Sequence, residues 1–186
     1  MRKELPLKKV SSKSQITIFT IGHSTHSIAD FIDILKAHEI GLVIDVRTIP
    51  KSRHNPQFNR DEFEGSLKEN GIGYLHTPGL GGLRHTKKDS LNTAWRNASF
   101  RGFADYMQTK DFVESLQRLI DLAGEKQVAI MCAEAVPWRC HRSLIGDALL
   151  VRGINVADIM GLNSVHPHTL TPWAKVEGTR VTYPGG

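Results

Sequence analysis

The chain is poor in cysteine and has no long apolar run. Cys132 and Cys140 are its only two cysteines among 186 residues, which argues against a disulfide-stapled secreted scaffold. In a reducing compartment two thiols this close read as chemical, metal-linked or redox-active rather than as a staple. No stretch approaches the roughly eighteen consecutive apolar residues of a membrane span, so no membrane partner is expected. The opening Met-Arg-Lys-Glu-Leu-Pro-Leu-Lys-Lys has no apolar signal core, and the expected location is cytoplasmic. Internal repeats and low-complexity segments are also missing. Gly79-Leu-Gly-Gly-Leu-Arg84 lacks the lysine and Ser/Thr of a P-loop and the spacing of the dinucleotide fingerprint.

What is present suits one globular domain: the length is ordinary and 40% of the residues are hydrophobic. The net charge of +5 favours an anionic partner, although Arg2, Lys3, Lys8, Lys9 and Lys13 place much of it near the start. The chain divides into a basic N-terminal tail (1–14), an α/β domain (15–171) and a C-terminal extension (172–186).

Periodicity predicts strands over 15–21, 40–46, 72–76, 126–131 and 154–160, and helices over 28–38, from about 60 to 70, over 111–123 and 143–151, with one or two helical turns over 103–107. Ser27 is placed to cap the first helix. A long connection follows the third strand, and the residues after Gly161 read as turn-rich wrapping without a core of their own. Alternating strands and helices imply βαβ units. The expected fold is a single-domain, three-layer, doubly wound α/β structure with a mostly parallel sheet of about five strands.

The richest segment chemically is Cys132-Ala-Glu-Ala-Val-Pro-Trp-Arg-Cys-His-Arg142, between a predicted strand and a predicted helix. In open α/β sheets such a turn faces the ligand crevice and offers the free N–H groups of a new helix. Cys132 is the sharpest nucleophile candidate; the alternative is a strand-terminal cysteine packed as a small hydrophobe. A phosphatase-like loop does not fit, because the spacing to Arg139 is one residue too long and Pro137 has no N–H. Glu134 is a candidate general acid or base, which a buried setting would raise towards neutrality, or else the ion-pair partner of Arg139 or Arg142.

His141 and His23 are candidates for proton transfer. Arg142 is a candidate for bidentate anion recognition, with a helix-surface role as the alternative. Ser24, Asp45, Arg47, Arg53, Gly81, Gly82 and Arg84 complete the candidate anion-binding set. Asp45 is read as fixing Arg47 or capping a turn. The glycines are read as letting backbone approach a ligand closely, with Arg84 as a clamp. Trp95 and Phe100 can stack on bases or pin their loop to the body.

Cys132, Cys140 and His141 with His23 form a possible tetrahedral metal set. It ranks lower because Cys140 and His141 are neighbours and the cysteine gap is unlike a Cys-x-x-Cys hook. No metal ligand is assigned, and the sequence names no cofactor.

Thr20-Ile-Gly-His-Ser-Thr, Asp45-Val-Arg with Pro50, Ser52 and Arg53, Gly79-Leu-Gly-Gly, and Cys132-Ala-Glu with Cys140-His-Arg142 together resemble the domain of unknown function 488 family. The resemblance runs from about Ile16 to Thr171 and implies a compact α/β domain. The chemistry leaves two readings from different classes: an enzyme, hydrolytic or group-transferring, on a phosphorylated, nucleotide or nucleic-acid-related substrate, or a non-catalytic module that holds such an anion. A thiol or metal sensor is a third.

Overall fold

Runs of β-branched and aliphatic residues supply strands that are apolar on both faces, the pattern of a sheet covered by helices on each side. A computed structural model describes residues 15–186 of the protein; the basic segment 1–14 lies outside the described residues. The strands are β1 (Thr17–Gly22), β2 (Leu42–Asp45), β3 (Gly73–His76), β4 (Val128–Cys132), β5 (Asn155–Gly161) and β6 (Ser164–Pro167), in the spatial order β3-β2-β4-β1-β5-β6. The first five are parallel and β6 runs antiparallel to β5.

Five helices flank the sheet: α1 (Ile28–Ala37), α2 (Arg60–Glu69), α3 (Ala98–Tyr106), α4 (Lys110–Ala123) and α5 (Arg142–Leu150). Alternation along the strands separates two cores. Ile18, Leu42, Ile44, Val128 and Ile130 pack with Phe103 of α3, Phe112 and Leu116 of α4, and Leu144 of α5. Ile21, Val43, Ala129 and Met131 face Phe31 and Leu35 of α1 and Phe63 of α2. Each such buried side chain contributes about 1.5–3 kcal/mol. As expected, Ser27 caps α1: its hydroxyl accepts from the Asp30 N–H at 3.1 Å, a bond worth ~1 kcal/mol.

The chain leaves β1 towards β2 and β3 on one side and later leaves β4 towards β5 on the other. The loops after β1 and β4 therefore border a topological switch point, where α/β sheets take their ligands. This places the Cys132–Arg142 loop at the expected edge.

The region after Gly161 differs from its expectation. It adds the sixth strand and a hairpin of β7 (Lys175–Glu177) and β8 (Arg180–Thr182). These strands are three or four residues long, too short for a clear alternating pattern, and β6 ends in a proline that only an edge strand tolerates. Val181 and Tyr183 enter the main core, and the Tyr183 hydroxyl donates to Asp147 at 2.8 Å.

Candidate functional site

Close backbone approach builds the site. Gly22, at the end of β1, pairs in register with Cys132, and a Cβ there would collide with the Glu134 carbonyl. Only glycine lets the β4–α5 loop lie on β1. The loop then makes a 3-10 turn at Pro137–Arg139 and brings Cys140 back towards Cys132.

The sulfur atoms of Cys132 and Cys140 and a ring nitrogen of His141 all lie within 4.8 Å of one another. His141 Nε2 faces the carbonyls of Val46 and Leu80, each at 3.0 Å. Those acceptors require an N–H there, so Nδ1 is turned to the sulfurs, at 3.7 Å from Cys140 and 4.0 Å from Cys132. The Arg142 backbone N–H also points at the Cys140 sulfur, at 3.5 Å. The thiol of Cys132, His141 and the Arg142 charge together hold the Cys140 thiol well below its ordinary pKa, against the effect of burial. Cys132 is pushed the other way, by its hydrogen bond to Cys140 and by burial. Cys132, the expected nucleophile, and Cys140, which lies nearer to His141 Nδ1 and to the Arg142 N–H, thus form one hydrogen-bonded pair at the end of β4.

These groups lie at the floor of a cleft of about 340 Å³, whose walls include Arg47, Lys51, Gly82, Phe100, Glu134 and Arg139. Glu134 is exposed in it, not buried as its expected role supposed. Gly82 abuts the His141 ring, and a side chain there would press on it. The glycine thus allows the loop to close over the histidine.

The other candidates divide. Asp45 and Arg47 form the expected pair: Arg47 Nε donates to Asp45 Oδ1 at 2.9 Å and Nη2 to Oδ2 at 2.6 Å. Tyr74 donates to the same carboxylate at 2.7 Å, and Arg47 Nη2 also donates to the Phe58 carbonyl at 2.8 Å. His23 is buried and stacks on Phe58 with ring centroids 4.3 Å apart. Its Nδ1–H donates to the Ser24 carbonyl at 2.9 Å, leaving Nε2 as a lone pair 3.5 Å from Arg47 Nη1. Burial lowers its pKa to about 4, so it is neutral at physiological pH and sits outside the cleft lining.

Ser24 is a turn residue with φ of 46°, and its N–H donates to the Ala133 carbonyl. Gly81 is buried against Thr48. Arg84 is tied to the carbonyls of Gly81 and Pro78 and lies over the Tyr106 ring, outside the cleft lining. Arg53 is exposed and also outside it. Arg142 is neither a surface residue nor part of the lining: it is buried, and Nη2 donates to the Glu134 carbonyl at 2.7 Å.

Sequence reasoning weighed Cys140 only as a metal or redox partner of Cys132, placed Tyr74 at the sheet edge without a role, and passed over Lys51. A cysteine directly before a histidine and a helix start was the available signal for Cys140; nothing local marked the other two.

A family model, Domain of unknown function DUF488, matches residues 27–149. The chain belongs to this family. The match takes in His141, Arg142 and both cysteines, as the motifs had implied. No curated protein and no solved structure matches the chain. Among the described residues, no helix is long and apolar enough to cross a membrane.

Proposed function

We propose that this protein is an enzyme whose Cys140 thiolate acts on an anionic, phosphorylated or nucleotide-like substrate at the C-terminal edge of the sheet. The observation that carries the reading is the convergence of both sulfurs and His141 Nδ1 at the floor of the cleft. Lys51 and Arg139 supply positive charge at the walls for the substrate anion.

Cys140 attacks the electrophilic centre, forming a bond to sulfur while the bond to the leaving group breaks. His141 Nδ1, which takes the proton of the Cys140 thiol and as imidazolium stabilises the thiolate, gives that proton to the leaving group. The Glu134 carboxylate then takes a proton from the water or second substrate that displaces sulfur and frees the thiolate. His23, neutral and behind Arg47, takes no part in these transfers.

Alkylation by iodoacetamide, mapped by mass spectrometry against pH, tests the first step. Cys140 should react at a pH well below that of an ordinary thiol, and ahead of Cys132. Equal, high-pH reactivity of both sulfurs sinks the reading. Turnover of phosphorylated substrates should vanish in Cys140→Ser and fall in Glu134→Gln.

One observation favours a second reading at the same place. Two cysteines and a histidine whose distal N–H is held by backbone carbonyls form a donor set suited to zinc at the floor of the cleft. The geometry brings together the three residues that spacing had disfavoured and leaves His23 out. Titration with zinc distinguishes the readings, since tight binding that shields both cysteines from alkylation supports the metal.

A further inference from the structure

All three tryptophans of the chain, Trp95, Trp138 and Trp173, line one pocket of about 650 Å³. It is separate from the thiol cleft but shares its walls. Pro137 and Trp138 line the pocket while the adjoining Arg139 and Cys140 line the cleft. Trp95 faces the pocket and stacks at 4.8 Å on Phe100, which faces the cleft.

Two features point to a ligand. Trp138 and Trp173 leave 65% and 48% of their surface open, and Trp138 has no aromatic partner among the described residues. The polar lining is rigid: Asp158 accepts from the Thr20 hydroxyl at 2.6 Å and from His168 at 3.1 Å, and His168 reaches Asp147 at 3.1 Å on its other nitrogen. Asp158 lines the pocket and each of its oxygens keeps a lone pair.

We infer that this pocket binds a purine base carrying N–H donors on its edge, guanine best, as part of a nucleotide whose phosphate reaches the basic rim of the thiol cleft. The inference names the substrate class of the proposed enzyme and rests on that reading for the phosphate end alone. Indole faces stack on any base. A carboxylate accepts paired N–H groups and the flat indole faces match a planar base, while a sugar, which would use the Ser143, Thr169 and Thr171 hydroxyls, is the competitor included in the test. Trp138 and Arg139 are consecutive, so base and phosphate meet opposite sides of one turn.

The test is calorimetric titration of the full chain with guanosine, guanosine monophosphate, inosine, inorganic phosphate and a methyl hexoside. Guanosine should bind, the monophosphate more tightly, and the hexoside not at all. Inosine, lacking the exocyclic amine, should bind on the order of tenfold more weakly. Trp138→Ala and Trp173→Ala, both at exposed positions, should each weaken guanosine by on the order of tenfold. Absence of guanosine binding, or equal binding in the double tryptophan variant, overturns the inference. A guanine-containing oligonucleotide binding better than the monophosphate keeps the pocket and makes a nucleic-acid strand its source.

Failures of the two proposals are separable. If guanosine binds but no nucleotide protects Cys140 from alkylation, the pocket stands and the thiol reading falls. If phosphate compounds protect Cys140 while guanosine does not bind, the reverse holds.

Discussion

Arg47 and Arg142 are both buried, 5% and 1% exposed, yet they carry their charge differently. Arg47 is locked to the Asp45 carboxylate through both oxygens, so its charge is cancelled where it sits. Arg142 holds a backbone carbonyl at 2.7 Å and a weaker threonine contact at 3.5 Å, and its Nε has no partner. No carboxylate lies within ion-pair distance of it among the described residues. Its field instead adds to the hydrogen bonds from Cys132 and His141 that lower the pKa of Cys140, and to those from His168 and Thr20 that lower that of Asp158. One arginine is a strut that shapes the cleft, and the other is a source of potential between the cleft and the tryptophan pocket.

The comparison breaks hardest at Asp45. Asp45→Asn leaves Arg47 as a buried charge without its counter-ion, and stability should fall by about 3–5 kcal/mol in urea unfolding. Arg47→Met on that background should recover part of the loss. Next comes pH. His168 is raised to about 9, since its bonds to Asp147 and Asp158 outweigh burial. Its stabilisation is complete below the unfolded value of 6.5 and is lost as pH rises through about 9, a fall of ~2–3 kcal/mol. His168→Gln should flatten that limb. His23, lowered to about 4 by burial, has the opposite sign: it favours the fold above 6.5 and loses that contribution as pH falls towards 4. His23→Phe should flatten the acid limb of the melting profile.

Arg142→Met should cost ~2 kcal/mol, less than Asp45→Asn, because it removes a charge-assisted bond without stranding a carboxylate. It should also move the Cys140 alkylation profile to higher pH, which Arg47→Met should do far less. The smallest effect belongs to Arg53→Ala: an exposed side chain outside the cleft lining should change stability by no more than ~0.5 kcal/mol. A large loss of phosphate-dependent binding there would extend the anion site beyond the cleft.

Much of the fold was legible because its signals are local. Ser27 followed by Asp30 marks a helix start, and the apolar runs of β2 and β4 mark strands buried on both faces. The short strands after Gly161 carried too few residues for a periodicity, and Tyr183 enters the core through contacts with residues far away in sequence. The site was legible as a region but not as a mechanism. Cys132 and Glu134 stood out by type, whereas what meets the two sulfurs depends on the direction of His141 Nδ1. That direction is set by two distant carbonyls, Val46 and Leu80.

Sequence by itself determined the alternation of strands and helices, the three-layer α/β class, the family and the strand end at which reactive groups gather, because periodicity, capping and motif order are properties of neighbouring residues. Tertiary structure alone decided that both sulfurs meet His141 Nδ1, that Arg142 is buried, and that three scattered tryptophans share a pocket. Those outcomes depend on distances and desolvation between residues far apart in the chain, which only packing sets.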